Sequence, residues 1–173
     1  FSYASTERNG RDFDIYLYDF ESKASSLIYQ SEFGFYPASW QPNSDNLLVR
    51  EVRGEDAFNL YLLDATTGKL TTLHQPEVAA TFDSISWKQD GSGFYVSSDL
   101  HDDMIQILYH DLKSGRAEVV HASQYNLENV SLCYQDQYLT WVENNNGFDT
   151  LFVQQLAGQS IKQINTRKCS RYD

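Results

Sequence analysis

An all-β fold built from repeated antiparallel sheets is predicted by three observations on this 173-residue chain. The first is a returning segment: 15 to 20 (IYLYDF), 60 to 65 (LYLLDA), 107 to 112 (ILYHDL) and, in weaker form, 151 to 156 (LFVQQL). Its marker aspartates Asp19, Asp64 and Asp111 lie 45 and 47 residues apart, and Gln155 follows 44 later. The second is a ladder in phase with it, Trp40, Trp87 and Tyr134, each 47 residues from the last. The third is that every unit divides into short strands bounded by Gly, Asp, Asn and Ser, leaving little room for a helix. A period of ~40–50 residues with four strands per repeat is the signature of a β-propeller.

Taken in order, the first unit holds three strands, near 1 to 5, 13 to 20 and 23 to 30. Its opening strand aligns with the second strand of the later units. The second unit runs through 37 to 41, a turn at Pro42 to Asp45, 46 to 52, a polar turn at Gly54 to Asp56, 58 to 64, and 69 to 74. Segment 58 to 64 carries Phe58, Leu60 and Leu62 on one face and Tyr61 and Leu63 on the other. A strand apolar on both sides must be covered on both sides, which stacked blades achieve. The third unit reads as strands near 83 to 88, 93 to 98, 104 to 111 and 116 to 121, and the fourth near 128 to 134, 137 to 143, 149 to 156 and 160 to 165. The fold class is therefore a β-propeller fragment of about four blades of four-stranded antiparallel sheet, the first blade lacking its innermost strand. Residues 1–165 form the partial propeller, with blades near 1–32, 33–78, 79–124 and 125–165. Residues 166–173 read as a tail or the start of a further segment; in another reading, part of the tail supplies the missing inner strand and closes a four-bladed ring. End blades with one bare face each predict a homo-oligomer through the open blade faces.

Composition narrows the functions. The chain is 41% hydrophobic and 14% aromatic, which argues against disorder. Its net charge of -11 and pI near 4.6 argue against a nucleic-acid partner, and no apolar run is long enough for a membrane-spanning helix. Cys133 and Cys169 are too few and too isolated for a disulfide framework or a zinc site. The chain opens on Phe1 with no basic region or apolar signal core, so no targeting segment is read; the compartment is not directly legible, with cytoplasmic favoured over periplasmic.

Each chemically suggestive group has a plainer structural reading. The sole approach to a nucleophile elbow is Gly91-Ser92-Gly93, where the ladder places a hairpin turn. Asp99, His101, Asp102 and Asp103 offer oxygens at alternating positions, yet lack the glycine and bidentate carboxylate of a calcium loop, so a solvated turn is favoured. His74, His101, His110 and His121 do not repeat in phase, which disfavours a metal site at the propeller axis; His110 is read as partly exposed at a strand end. Trp40, Trp87 and Tyr134 are read as blade-to-blade packing, and Asp19, Asp64 and Asp111 as turn-fixing acceptors. Cys133, aligned with Ser39 and Ser86, is expected to be a buried free thiol on an inner strand. No catalytic, cofactor-binding or metal-ligating residue is assigned, no cofactor is expected, and the substrate-binding residues are unknown.

The stretch 3 to 19 (YASTERNGRDFDIYLYD), the Trp-x-Pro-Asn-x-Asp pattern at Trp40 to Asp45, and SDLHDD at 98 to 103 resemble the amino-terminal propeller of prolyl oligopeptidase-family serine peptidases, with the acylaminoacyl-peptidase-like bacterial branch closest. TolB-like propellers share the repeat. The resemblance implies a non-catalytic propeller that gates short peptides into a separate α/β-hydrolase domain of the same parent chain, which carries the serine, aspartate and histidine. The paired helical glutamates of the family's dipeptidyl branch have no counterpart here. Two other functions remain: a TolB-like protein-interaction propeller and, less favoured, a metal-dependent propeller lyase.

Overall fold

The computed structural model describes residues 1–158 and 160–164. Within them the chain is all strand and turn, as the sequence predicts. It divides into two compact units, Phe1–Ala80 and Thr81–Asp173. The tail at 166–173, with Cys169, lies outside the described residues, as does the reading in which it completes the first blade.

In the first unit, β1 (Ser2–Ser5), β2 (Asp14–Asp19) and β3 (Ala24–Tyr29) make a three-stranded antiparallel sheet. Beside it, β4 (Phe35–Trp40), β5 (Asn46–Gly54), β6 (Ala57–Asp64) and β7 (Leu70–His74) make a four-stranded meander. On β5, Leu47, Leu48 and Val49 are consecutive and all fully buried, so both faces of the strand are covered. The core of the unit gathers Ile15, Phe35, Leu47, Val49, Tyr61 and Leu63. Each such aliphatic side chain contributes on the order of 1.5–3 kcal/mol when removed from water. A parallel bridge, Phe13 to Gly34, ties the two sheets together.

The second unit repeats the plan with β8 (Asp83–Trp87), β9 (Gly93–Ser98), β10 (Gln106–Asp111) and β11 (Arg116–His121), then β12 (Asn126–Leu132), β13 (Tyr138–Asn145), β14 (Phe148–Gln155) and β15 (Ser160–Ile164). Its core is Ile107, Leu127, Val130, Leu139 and Trp141. The Trp141 ring stacks on His121 at 4.2 Å and on Phe152 at 5.6 Å. Gly93 opens β9 because nothing larger fits: a Cβ there would collide with the His110 carbonyl oxygen and the Tyr109 hydroxyl.

The marker aspartates fix turns. Asp19 Oδ1 accepts the Ser22 amide at 2.6 Å, Asp64 Oδ1 accepts those of Thr66 and Thr67 at 2.9 Å, and Asp111 Oδ1 accepts that of Ser114 at 2.7 Å. These amides hold all three carboxyls below the usual carboxylate range; for Asp19 the Ser22 hydroxyl bond is the first cause.

Three expectations are corrected. Tyr134 is 82% exposed and lies in the turn after β12, so it packs no blade. The backbone bonds that close the inner hairpins run from Gln41 to Asn46, Lys88 to Gly93 and Cys133 to Tyr138. Cys133 is therefore the counterpart of Gln41 and Lys88, Ser131 the counterpart of Ser39 and Ser86, and Leu132 takes the place of the tryptophans. The spacing shortens by two residues in the last unit, which the Tyr134 marker concealed. Cys133 accordingly is half-buried beyond the strand; burial pushes its thiol up, but backbone N–H groups of Tyr138, Gln135 and Gln137 outweigh this and lower it. Finally, His110 is fully buried, stacked on Phe94 at 5.0 Å, and desolvation lowers its pKa, because its side chain turns into the sheet rather than out of the strand end.

Candidate functional site

A concavity of the first unit is built on the β1–β2 loop. Thr6 caps the turn, its carbonyl accepting the amides of Asn9 and Gly10 at 3.2 and 2.7 Å, and Gly10 turns the chain at φ 73°. Asn9 Oδ1 then accepts the amides of Arg11 and Asp12, folding the loop back on itself. This local winding brings two arginines and two aspartates together. Arg8 donates to fully buried Asp14 through Nε at 2.6 Å and Nη2 at 3.1 Å, and the same Nη2 reaches the Ser31 carbonyl at 2.9 Å. Asp14 also accepts the Ser31 amide at 2.8 Å, so the loop before β4 is clamped to the start of β2.

Asp12 is the second anchor. It accepts from Arg11 at 2.8 and 3.1 Å and from Asn9 at 2.6 Å, with Arg8 at 3.5 Å. The Arg11 and Asn9 bonds hold its carboxyl down at about 2. The Arg8 bond likewise depresses Asp14, and the paired carboxylates raise both guanidiniums. A carboxylate out of water is tolerated only when paired and hydrogen-bonded, and this loop supplies both conditions from within itself.

Above the clamp opens a cavity of about 540 Å³. Phe13, Phe33 and Tyr36 form its aromatic wall, with the Phe13 and Tyr36 rings 5.1 Å apart. Phe33 is 74% exposed, an uncommon position for a phenylalanine. Gly34 also lines it, packed closely under the Tyr36 ring, which a Cβ there would meet at 3.3 Å. Arg11 and Arg53 stand at the rim. Such a cavity is the size of a small-molecule or side-chain site. Chemically it suits an apolar or aromatic group next to a carboxylate, because guanidinium groups pair with carboxylates and stack on rings.

Sequence reasoning reached the loop but missed this cavity. Its residues come from three separated segments, 11 to 13, 33 to 36 and 52 to 54, which neither a motif nor the blade period joins. The groups weighed from sequence stay apart. Ser92 binds Asp90 through both its amide and its hydroxyl in the hairpin between β8 and β9, with Gly91 at φ 70°. Asp99 accepts the amide and hydroxyl of Thr81, and His101 Nε2 lies 3.4 Å from the Ala117 carbonyl. His121 pairs with Gln154 at 2.7 Å. Among the described residues, no three His, Cys, Asp or Glu side chains gather where they could hold a metal ion.

No family model and no curated protein matches the chain. Solved structures do. TolB from Acinetobacter baumannii superposes with a TM-score of 0.72 at 18% identity, covering 98% of this chain and 41% of that one. The fold is a TolB-like β-propeller. The same TolB-like fold relates the chain to prolyl oligopeptidase B from Galerina marginata, with a TM-score of 0.74, 16% identity, and coverage of 95% and 25%. An oligogalacturonate lyase in complex with manganese gives 0.70 at 15% identity, over 87% of this chain and 41% of that one. This TolB-like propeller thus spans between 25% and 41% of the length of these three structures.

Proposed function

We propose that this propeller is the non-catalytic part of a prolyl oligopeptidase-like serine peptidase, gating short peptides or acylated amino acids toward an α/β-hydrolase domain elsewhere in the parent chain. The observation that carries the proposal is the β1–β2 loop. The segment on which the resemblance rests, STERNGRDFDIY, is a self-contained ion-pair clamp that frames the aromatic cavity. Likeness in fold to prolyl oligopeptidase B supports the reading. In it, the cavity holds an apolar side chain of a passing peptide while Arg53 or Arg11 meets its carboxylate. The test is a panel of short chromogenic peptides and acyl-amino acids, assayed on this chain and on its parent with and without a serine-directed inhibitor. Inhibitor-sensitive cleavage by the parent and none by this chain is expected; cleavage by neither sinks the reading.

The cavity also favours a second reading, a TolB-like interaction module whose aromatic wall grips a protein partner. Under that reading Phe33→Ala abolishes partner binding without any peptidase in the parent. A further partner is proposed: a second copy of the chain, covering the bare faces that the two end blades are expected to leave. Light scattering showing a strict monomer at every concentration would remove that proposal.

A further inference from the structure

The rim of the aromatic cavity in the first unit carries two arginines in different circumstances. Arg11 is engaged: it donates twice to Asp12 and also feels the charge of Glu32. Asp12 is bonded by Asn9 and Arg8 as well, so the acid in the cavity wall is neutralised from within its own loop. Arg53 is exposed and makes no hydrogen bond or ion pair with the described residues. Glu51, two residues before it on β5, is taken instead by Asn59 and the Tyr61 hydroxyl, both at 2.7 Å.

The position of Arg53 is set by the sheet. Val52 pairs with Phe58 and Gly54 with Ala57, and the register shifts between them, which leaves Arg53 as the extra residue of a bulge. A bulge of this kind re-aims a side chain. Beside it, the Val52 amide donates to the Gly34 carbonyl at 2.9 Å, which ties β5 to the segment that carries Phe33. The Phe33 carbonyl accepts the Phe13 amide at 2.9 Å, so its backbone is held. Its ring nonetheless stacks on no other ring among the described residues, whereas Phe13 and Tyr36 pair with each other. A phenyl ring left in water forgoes the free energy of burial, which a ligand seated against it recovers. One cavity thus presents an unpaired guanidinium and an unpaired ring.

We propose that this cavity binds the free carboxylate end of an N-acylated aromatic amino acid, the carboxyl-terminal residue of a peptide included, and that Arg53 is its specificity-determining residue. A guanidinium meets a carboxylate through two parallel N–H donors, and the adjoining side chain then lies against Phe33. At about 540 Å³ the cavity is of a size that holds such a group. An ammonium on the same small molecule would lie within reach of the unpaired guanidinium and oppose binding, so the amine of the ligand is acylated. The proposal deepens the peptidase reading and rests on it for the choice of a peptide as the bearer. Its test reads binding by this chain without turnover, so it can fail while the parent still cleaves, and hold while the parent cleaves nothing.

The test is a titration of the ¹⁵N-labelled chain with N-acetylphenylalanine, N-acetylphenylalanine methylamide, N-acetylglycine and inorganic phosphate at matched ionic strength. Saturable shifts of the Gly34, Arg53 and Gly54 amides with N-acetylphenylalanine are expected. The methylamide and N-acetylglycine should each bind about tenfold more weakly or worse, the first for loss of a charge-assisted hydrogen bond and the second for loss of the ring. Arg53→Gln should erase the preference for carboxylate over methylamide and leave methylamide binding unchanged. Phe33→Ala should weaken both phenylalanine ligands alike. Both side chains are exposed, so both variants keep the fold. The proposal is overturned by the absence of saturable shifts with N-acetylphenylalanine, by equal binding of its methylamide or of N-acetylglycine, or by phosphate binding as tightly. A carboxylate preference that survives in Arg53→Gln, or unchanged binding in Phe33→Ala, overturns it too.

Discussion

One strand position, five residues before each marker aspartate, is filled in three different ways. In the first blade it is Asp14, fully buried and doubly bonded by Arg8. In the second it is Asn59, also buried, donating to Glu51 at 2.7 Å and to the Tyr61 hydroxyl at 3.2 Å. In the third it is Gln106, 7% exposed, whose Oε1 finds no hydrogen-bond partner among the described residues. The neighbouring loops differ in the same sense. The β1–β2 loop carries its own arginines and winds into a clamp. The β9–β10 loop has acids and a histidine but no arginine or lysine, and apart from Asp99 its acids stay in solvent. A buried carboxylate needs a cation supplied nearby in sequence, and where none is supplied the position turns neutral.

The comparison breaks most sharply at Arg8. Arg8→Ala leaves Asp14 buried without its cation, and should destabilise the chain more than Asp99→Ala, which loses two hydrogen bonds at a cost of about 1–3 kcal/mol. Thermal melts of the two variants side by side decide it; equal losses would mean that Asp14 is solvated through the clamp. Acid offers the same test without mutation. Asp12, held at about 2 against an ordinary 3.8, adds stability that is complete above about 4 and disappears as pH falls through about 2, and the depressed Asp14 acts in the same direction. Arg8→Ala should therefore remove the Asp14 part of the acid limb of the stability curve and keep the Asp12 part, which the Arg11 and Asn9 bonds hold.

The second blade should fail at the opposite end of the pH scale. Burial, then the Glu51 bond, push the Tyr61 hydroxyl up to about 12, above its ordinary 10. Its contribution is complete below about 10 and is lost as pH rises through about 12. Tyr61→Phe should shrink this alkaline loss, leaving the part that burial of Tyr16, Tyr29 and Tyr95 adds, and should cost about 1 kcal/mol at neutral pH, read from denaturant melts. An alkaline limb of unchanged size in the variant would place the titration elsewhere.

These contrasts also mark how far the sequence could be read. The repeated Asp19, Asp64 and Asp111 carried both the blade period and their own hydrogen bonds, because a tight turn is a local device. Strand faces were legible for the same reason. Tyr134 misled because an aromatic two residues past a strand end looks in phase, while the true equivalence is set by the hairpin bond at Cys133. His110 misled because exposure at a strand end depends on which way the side chain turns. The aromatic cavity joins segments far apart in the chain, and pairing across blades leaves no local trace.

The smallest effect is expected at Gln106, and its sign is the informative part. If the third blade simply leaves a polar group buried at this position, Gln106→Met removes an unsatisfied acceptor and keeps the volume. The same substitution also removes the side-chain amide donors, so the net change should be a gain of up to about 1 kcal/mol, or none. The corresponding change at Asn59 should be a loss, since that amide donates to Glu51 and Tyr61. Opposite signs at two equivalent positions would mean that each blade solves its own buried-polar problem with its own neighbours. A clear loss at Gln106 would instead mean that its amide is satisfied in solution, by water or a ligand, and that the polar side chain is kept there for what it binds.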